Sequence, residues 1–140
     1  MKEFSASTNI AASPETIWNL LIDAASYPEW DPGMIRLEGT IAPGEKVTAY
    51  TKLSPNQAFP VTVTHFVPNK TMTWTGGMPL GLFKGQRTFT LEPQTDGTTQ
   101  FTTREQFSGL LLPIFGRTIP DLSESFQNFA AGLKKRAESS

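Results

Sequence analysis

The sequence predicts an α+β domain in which an antiparallel sheet packs around one long C-terminal helix. Three observations predict it. Seven stretches between residues 3 and 107 carry either a two-residue alternation or a turn-bounded apolar run, the marks of strands. The connections between most of them are short and contain Pro43-Gly44, Pro68-Asn69 or Asp96-Gly97, which suits hairpins between antiparallel neighbours. From Ile114 the apolar period lengthens to threes and fours, the spacing of a helix with one apolar stripe.

The first strand is predicted from Phe4, Ala6, Thr8 and Ile10 alternating with Glu3, Ser5, Ser7 and Asn9. Ser13-Pro14-Glu15 then supplies a hydroxyl cap, a proline at the first helical position and a carboxylate at the positive helix end. The helix that follows has Ile17, Leu20, Leu21 and Ala24 on one face. Tyr27-Pro28-Glu29-Trp30-Asp31-Pro32-Gly33 reads as an irregular, aromatic-anchored connection, because its prolines and glycine interrupt both ladders.

Strands are predicted over 34–41, 45–53, 59–67, 71–75, 83–91 and 98–107. Between the fifth strand pattern and the sixth, Gly76-Gly77-Met78-Pro79-Leu80-Gly81-Leu82 reads as a flexible apolar loop with the character of a lid. The last stripe, Phe115, Ile119, Leu122, Phe126, Phe129 and Leu133, contains Pro120. Either a turn precedes a helix starting near Ile119 or Pro120, or one helix is kinked there. Lys134, Lys135 and Arg136 sit at its negative end.

The 140 residues suit a single domain, and with 38% hydrophobic residues and 11 glycines the apolar share is ordinary for a globular chain. The formal charge of −1 leaves no basic surface for a phosphate backbone, so nucleic acid is not expected as a partner. The absence of cysteine removes disulfides, thiolate metal sites and a cysteine nucleophile. Met1-Lys2-Glu3-Phe4-Ser5 has no apolar signal core, and no run reaches the length of a membrane span. A cytoplasmic location without stable membrane insertion is therefore expected. Asn69-Lys70-Thr71 is read as an accidental sequon. One histidine and scattered carboxylates do not make a metal site, and neither a phosphate-binding glycine loop nor a Gly-x-Ser-x-Gly elbow occurs. No cofactor is expected.

The order strand, helix, loop, six strands, long helix resembles the START-like, or Bet v 1-like (SRPBCC), superfamily, and within it the polyketide cyclase/dehydrase and lipid-transport group. The resemblance covers essentially the whole chain. It rests on Ala12-Ser13-Pro14-Glu15-Thr16-Ile17-Trp18, Tyr27-Pro28-Glu29-Trp30-Asp31-Pro32 and Met72-Thr73-Trp74-Thr75-Gly76. It also rests on Gly97-Thr98-Thr99, Glu105-Gln106-Phe107-Ser108-Gly109 and the helical stretch 126–133. These are caps, turns and core positions, so they mark fold rather than catalysis. The resemblance implies a helix-grip fold, a seven-stranded curved antiparallel sheet wrapped around the C-terminal helix, with a hydrophobic cavity used for lipids, polyketides and hormones.

Strand phase sharpens the site. If Phe89, Leu91, Phe101 and Phe107 face the helix, Arg87 and Glu105 face it too. Pairing about Asp96-Gly97 sets Leu91 opposite Phe101, Phe89 opposite Thr103 and Arg87 opposite Glu105. An inward Arg beside an inward Glu is tolerated by a mostly apolar cavity. The pair either orients a ligand's carbonyl or hydroxyl or is a plain salt bridge at the pocket's edge. His65 is in phase with Val61, Val63 and Val67, which points it inward towards Trp74. It is either an acid–base group or a hydrogen-bonded core histidine.

The expected ligand-binding wall therefore takes Val63, His65, Met72 and Trp74 from the middle strands, and Arg87, Phe89, Phe101, Glu105 and Phe107 from the last two. The helix adds Leu122, Phe126 and Phe129. The expected function is binding of a small hydrophobic molecule without catalysis. One alternative is a cyclase or dehydratase using His65 or Glu105 as proton carrier with Arg87 polarising a carbonyl. The other is a protein-interaction module like the superfamily's chaperone regulators. Nothing in the sequence sets the oligomeric state.

Overall fold

Alternation of polar and apolar residues builds the first strand. In the computed structural model, which describes residues 2–78, 80–115 and 119–139, β1 (Lys2–Ile10) turns Phe4, Ala6, Thr8 and Ile10 inward and leaves Glu3, Ser5, Ser7 and Asn9 exposed. The chain continues through β2 (Met34–Glu38), β3 (Lys46–Thr51), β4 (Ser54–Val67), β5 (Thr71–Met78), β6 (Phe83–Pro93) and β7 (Thr99–Ser108). All pairings are antiparallel and the sheet order is β1-β7-β6-β5-β4-β3-β2. Strands two to seven form a meander, and β1 closes on β7.

β4 and β5 in particular are longer than their local pattern suggests. β4 begins at Ser54 because Thr51 and Ser54 pair across a tight turn. β5 runs on through Gly76 and Gly77, which pair with Gly85 and Lys84, so the predicted lid begins as strand as far as Met78. Ladder bonds to β6 outweigh the weak local preference of glycine here. Gly77 has a φ of +121° and lies against the backbone of Phe83, so a side chain there is both strained and blocked.

Helix α1 (Pro14–Leu21) is capped by the Ser13 hydroxyl, which accepts from the Thr16 N–H at 3.2 Å, and buries Ile17, Trp18 and Leu21. Ala24, predicted on that helix, instead starts a 3₁₀ turn, Ala24–Ser26. The aromatic connection is more regular than predicted: Tyr27–Trp30 forms a one-turn helix, α2. Pro28 falls in its first turn, where a missing N–H breaks no helical bond. The Tyr27 hydroxyl donates to the Leu21 carbonyl at 2.5 Å and the Trp30 indole donates to the Ser26 hydroxyl at 3.1 Å, which fixes both rings.

The C-terminal stripe is divided. Leu112–Phe115 is a separate short helix, α3, and the side chain of Phe115 lies outside the described residues. The long helix α4 (Ser123–Glu138) starts after Pro120, because the Asp121 carboxylate accepts from the Ser123 N–H at 2.9 Å. That local bond offers the backbone an alternative to one more helical turn. α4 lays Phe126, Phe129, Ala130, Leu133 and Ala137 on the sheet. A Cβ on Gly132 would run into the Trp30 carbonyl, so glycine here lets α4 lie directly on α2.

Candidate functional site

The inner face of the sheet falls into two halves. Towards the β6–β7 turn, Phe89, Leu91, Phe101 and Thr103 are fully covered, together with Val63, Met72 and Trp74 from β4 and β5. Tyr27 and Trp30 of α2 enter under α4 and meet Trp74, Phe89, Phe101 and Phe129 in one aromatic cluster, with ring centroids 4.6–6.5 Å apart. This deep half is filled with rings where a cavity is expected from sequence. Val63, Met72, Phe89, Phe101 and Phe129 are core residues in this arrangement.

Towards the other end, the same face is only half-buried at Phe4, Phe83, Arg87, Glu105 and Phe107, with Leu122 and the first turn of α4 alongside. Phe83 stacks on Phe107 at 6.0 Å, and Phe4 meets Phe107 and Phe126 edge-on at 6.3 and 6.4 Å. Gly85 sits between them, and a Cβ there would come 3.2 Å from both the Glu105 carboxylate and the Phe107 ring. The rim is apolar: Met78, Leu80, Leu110 and Ile114 are 43%, 91%, 78% and 64% exposed. The Leu110 and Leu111 N–H groups clasp the Gly81 and Leu82 carbonyls at 3.0 and 2.7 Å, which ties the two rim loops together.

Arg87 stands at the boundary between the halves, opposite Glu105 on β7 and Trp74 on β5. Its guanidinium carbon lies 4.2 Å from the ring centre of Phe126, 4.5 Å from Phe129 and 5.0 Å from Phe89, a cation in an aromatic cage. Nε donates to the Thr103 hydroxyl at 2.9 Å. Nη2 is sealed from water without a hydrogen-bond partner, and so is the Trp74 Nε1–H on the neighbouring strand. The ion pairs among the described residues are Arg36–Glu38, Arg104–Glu3, Lys134–Glu138 and Arg136–Glu29. Arg87 and Glu105 are therefore neighbours in register without the salt bridge that sequence reasoning considers.

Electrostatics follow burial. Desolvation lowers the Arg87 pKa against the opposing pull of Glu105, Asp31 and Tyr27. Burial raises the Glu105 carboxyl above its ordinary range, with Arg87 acting the other way. Asp31 is also raised by burial, although it accepts the Gly33 N–H at 3.1 Å and feels Arg87 and Lys52. Burial pushes the Tyr27 phenol far up, so it stays a neutral donor. Sequence reasoning misses Asp31 and Tyr27 as neighbours of Arg87, because they lie in what reads as a connection.

His65 is a correction. It is exposed, not inward, because β4 carries a bulge between Val63 and His65, where Thr64 falls out of the Cα register with β5. The extra residue reverses the alternation, and Phe66 turns in against Trp18 with ring centroids 5.3 Å apart. His65 pairs with Thr73 and not with Trp74, so Arg87 and Glu105 converge without it. A separate groove of about 490 Å³ runs between β1 and α4, lined in part by Ser5, Ser7, Gln127, Lys134 and Glu138. Its lining includes no aromatic ring, which sets it apart from the aromatic site. Among the described residues there is no cluster of three metal-ligating side chains and no helix long and apolar enough to cross a membrane.

A curled seven-stranded antiparallel sheet closed by a C-terminal helix is the helix-grip architecture of START and Bet v 1 proteins. The chain belongs to the family described as polyketide cyclase / dehydrase and lipid transport, whose model matches residues 1–138. Solved structures agree on the fold. A START superfamily protein from Mycobacterium smegmatis is similar with a TM-score of 0.75 at 20% identity, over 98% of this chain and 97% of that one. The Aha1 dimer from Colwellia psychrerythraea gives 0.74 at 21% identity over 99% and 97%, and Ara h 8.0201 gives 0.72 at 15% over 99% of both. No curated protein matches by sequence. Family and fold together indicate a hydrophobic-ligand-binding domain.

Proposed function

We propose that this chain binds a small apolar molecule of the lipid or polyketide kind, as a carrier or sensor, in the open half of the grip. One observation carries the reading: Phe4, Phe83 and Phe107 stay half-exposed on the face where Trp74, Phe89 and Phe101 are sealed. Half-covered aromatic rings beside a few convergent polar groups are the usual make-up of a ligand site. The exposed Met78, Leu80, Leu110 and Ile114 are read as its mouth rather than as a protein contact, because their loops adjoin the open half. We place this function in the cytoplasm, a location with which the cysteine-free sequence is compatible.

Native mass spectrometry of protein purified without detergent, followed by solvent extraction, tests this reading. A co-purifying apolar molecule, or uptake of an added one at one-to-one stoichiometry, is the expected result. Failure to take up any apolar probe counts against it.

The second reading, a cyclase or dehydratase, is supported by Glu105, whose raised pKa leaves it suited to hold a proton beside a guanidinium. Turnover of a poly-β-ketone thioester that Glu105→Gln abolishes while binding persists would favour the enzyme. His65 has no part in either reading.

A further inference from the structure

The boundary between the two halves contains two donors with nothing to donate to. Arg87 Nη2 and Trp74 Nε1 are both sealed from water and both unpartnered, and they belong to residues directly opposite each other on β6 and β5. Buried donors are nearly always satisfied in folded proteins, and an orphan one carries a desolvation penalty. Two orphans on paired residues at the boundary of an otherwise apolar site mark the place of an acceptor.

The same position lacks a committed counter-ion. Among the described residues Arg87 makes no ion pair, and Thr103, to which its side chain donates, is neutral. The nearby carboxyl groups, Glu105 and Asp31, are raised by burial, whereas a carboxylate locked in an ion pair is held low. Three phenylalanine rings cage the cation. One of them, Phe126, lies on the first turn of α4 and meets Phe4 of the open half, so the cage borders the open half on that side.

We propose that the molecule bound in the open half is an apolar carboxylic acid, its carboxylate received by Arg87 Nη2 and Trp74 Nε1 and its apolar body lying along Phe4, Phe83 and Phe107. This deepens the binding reading above and rests on it. A guanidinium presents parallel donors to a carboxylate, and the indole N–H adds a neutral donor from the next strand. A fatty acid and an aromatic acid share this chemistry.

Calorimetric titration with decanoate, decanol and methyl decanoate, and with 2-naphthoate against naphthalene, tests it on the full chain. The acids are expected to bind about tenfold to a hundredfold tighter than their neutral analogues, as a hydrogen bond to a charged group implies. Arg87→Met is expected to erase that advantage, so that acids and neutral analogues bind alike, and Trp74→Phe to reduce it in part. The wild-type probe series decides the matter even if Arg87→Met does not fold. Equal binding of acid and neutral probes overturns this inference and leaves the binding site standing. Binding of none overturns the site and the inference with it. The decanoate and 2-naphthoate arms distinguish a fatty acid from an aromatic one.

Discussion

The two halves of the inner face are made of the same strands and nearly the same residue types, yet one is packed solid and the other is half-open. Phe89 and Phe101 at the sealed end differ from Phe83 and Phe107 at the open end in what lies across from them. At the sealed end α2 inserts Tyr27 and Trp30 beneath α4, and Gly132 lets the helix press onto the Trp30 backbone. At the open end Pro120 and Asp121 delay the start of α4, so the helix offers only its first turn. Stability is concentrated where a second aromatic layer arrives. Binding capacity is left where it does not.

Alanine substitutions should separate the halves. Phe129→Ala removes a ring at the centre of the sealed cluster and is expected to cost about 3–5 kcal/mol in a urea unfolding curve. Phe107→Ala is expected to cost about 1 kcal/mol, while weakening any apolar probe by about tenfold, close to the worth of one buried side chain. If Phe107→Ala proved as damaging to the fold as Phe129→Ala, the division into halves would fail.

A smaller effect is expected at the boundary. Burial raises the folded-state pKa of Glu105. A carboxyl raised on folding contributes stability that is fully present below its unfolded value, about 4, and is lost as pH rises through the folded value. Glu105→Gln keeps the neutral form at every pH. It should therefore melt at a higher temperature than the parent at neutral pH, with the gap closing as the pH falls towards about 4. A lower melting temperature for the variant at neutral pH would mean that the charged carboxylate stabilises the fold. The smallest effect belongs to His65→Ala, which should change stability by less than about 0.5 kcal/mol and leave probe binding unaltered, since the residue is exposed.

How much of this is legible in the sequence depends on what sets each feature. The pairing of Arg87 with Glu105 follows from counting outward from Asp96-Gly97, because an uninterrupted hairpin preserves its register. The same counting carries His65 inward and fails, since the bulge at Thr64 arises from strand pairing and leaves no local mark. The capped start of α1 is written in Ser13-Pro14-Glu15, whereas the start of α4 depends on a side-chain bond from Asp121 that competes with the apolar stripe. Trp74 and Phe89 are legible as inward-facing. Their depth is not, because it depends on Tyr27 and Trp30 folding back from a stretch that reads as a connection.

Nitrogen–proton correlation spectra recorded during titration with decanoate test the division of the grip most directly. Amide shifts are expected at Phe4, Phe83, Arg87 and Phe107 and in the first turn of α4, together with the Trp74 indole, while Ile10, Leu91, Thr99 and Phe101 stay in place. Shifts confined to the groove between β1 and α4, or spread evenly through the sealed cluster, would contradict a ligand site in the open half.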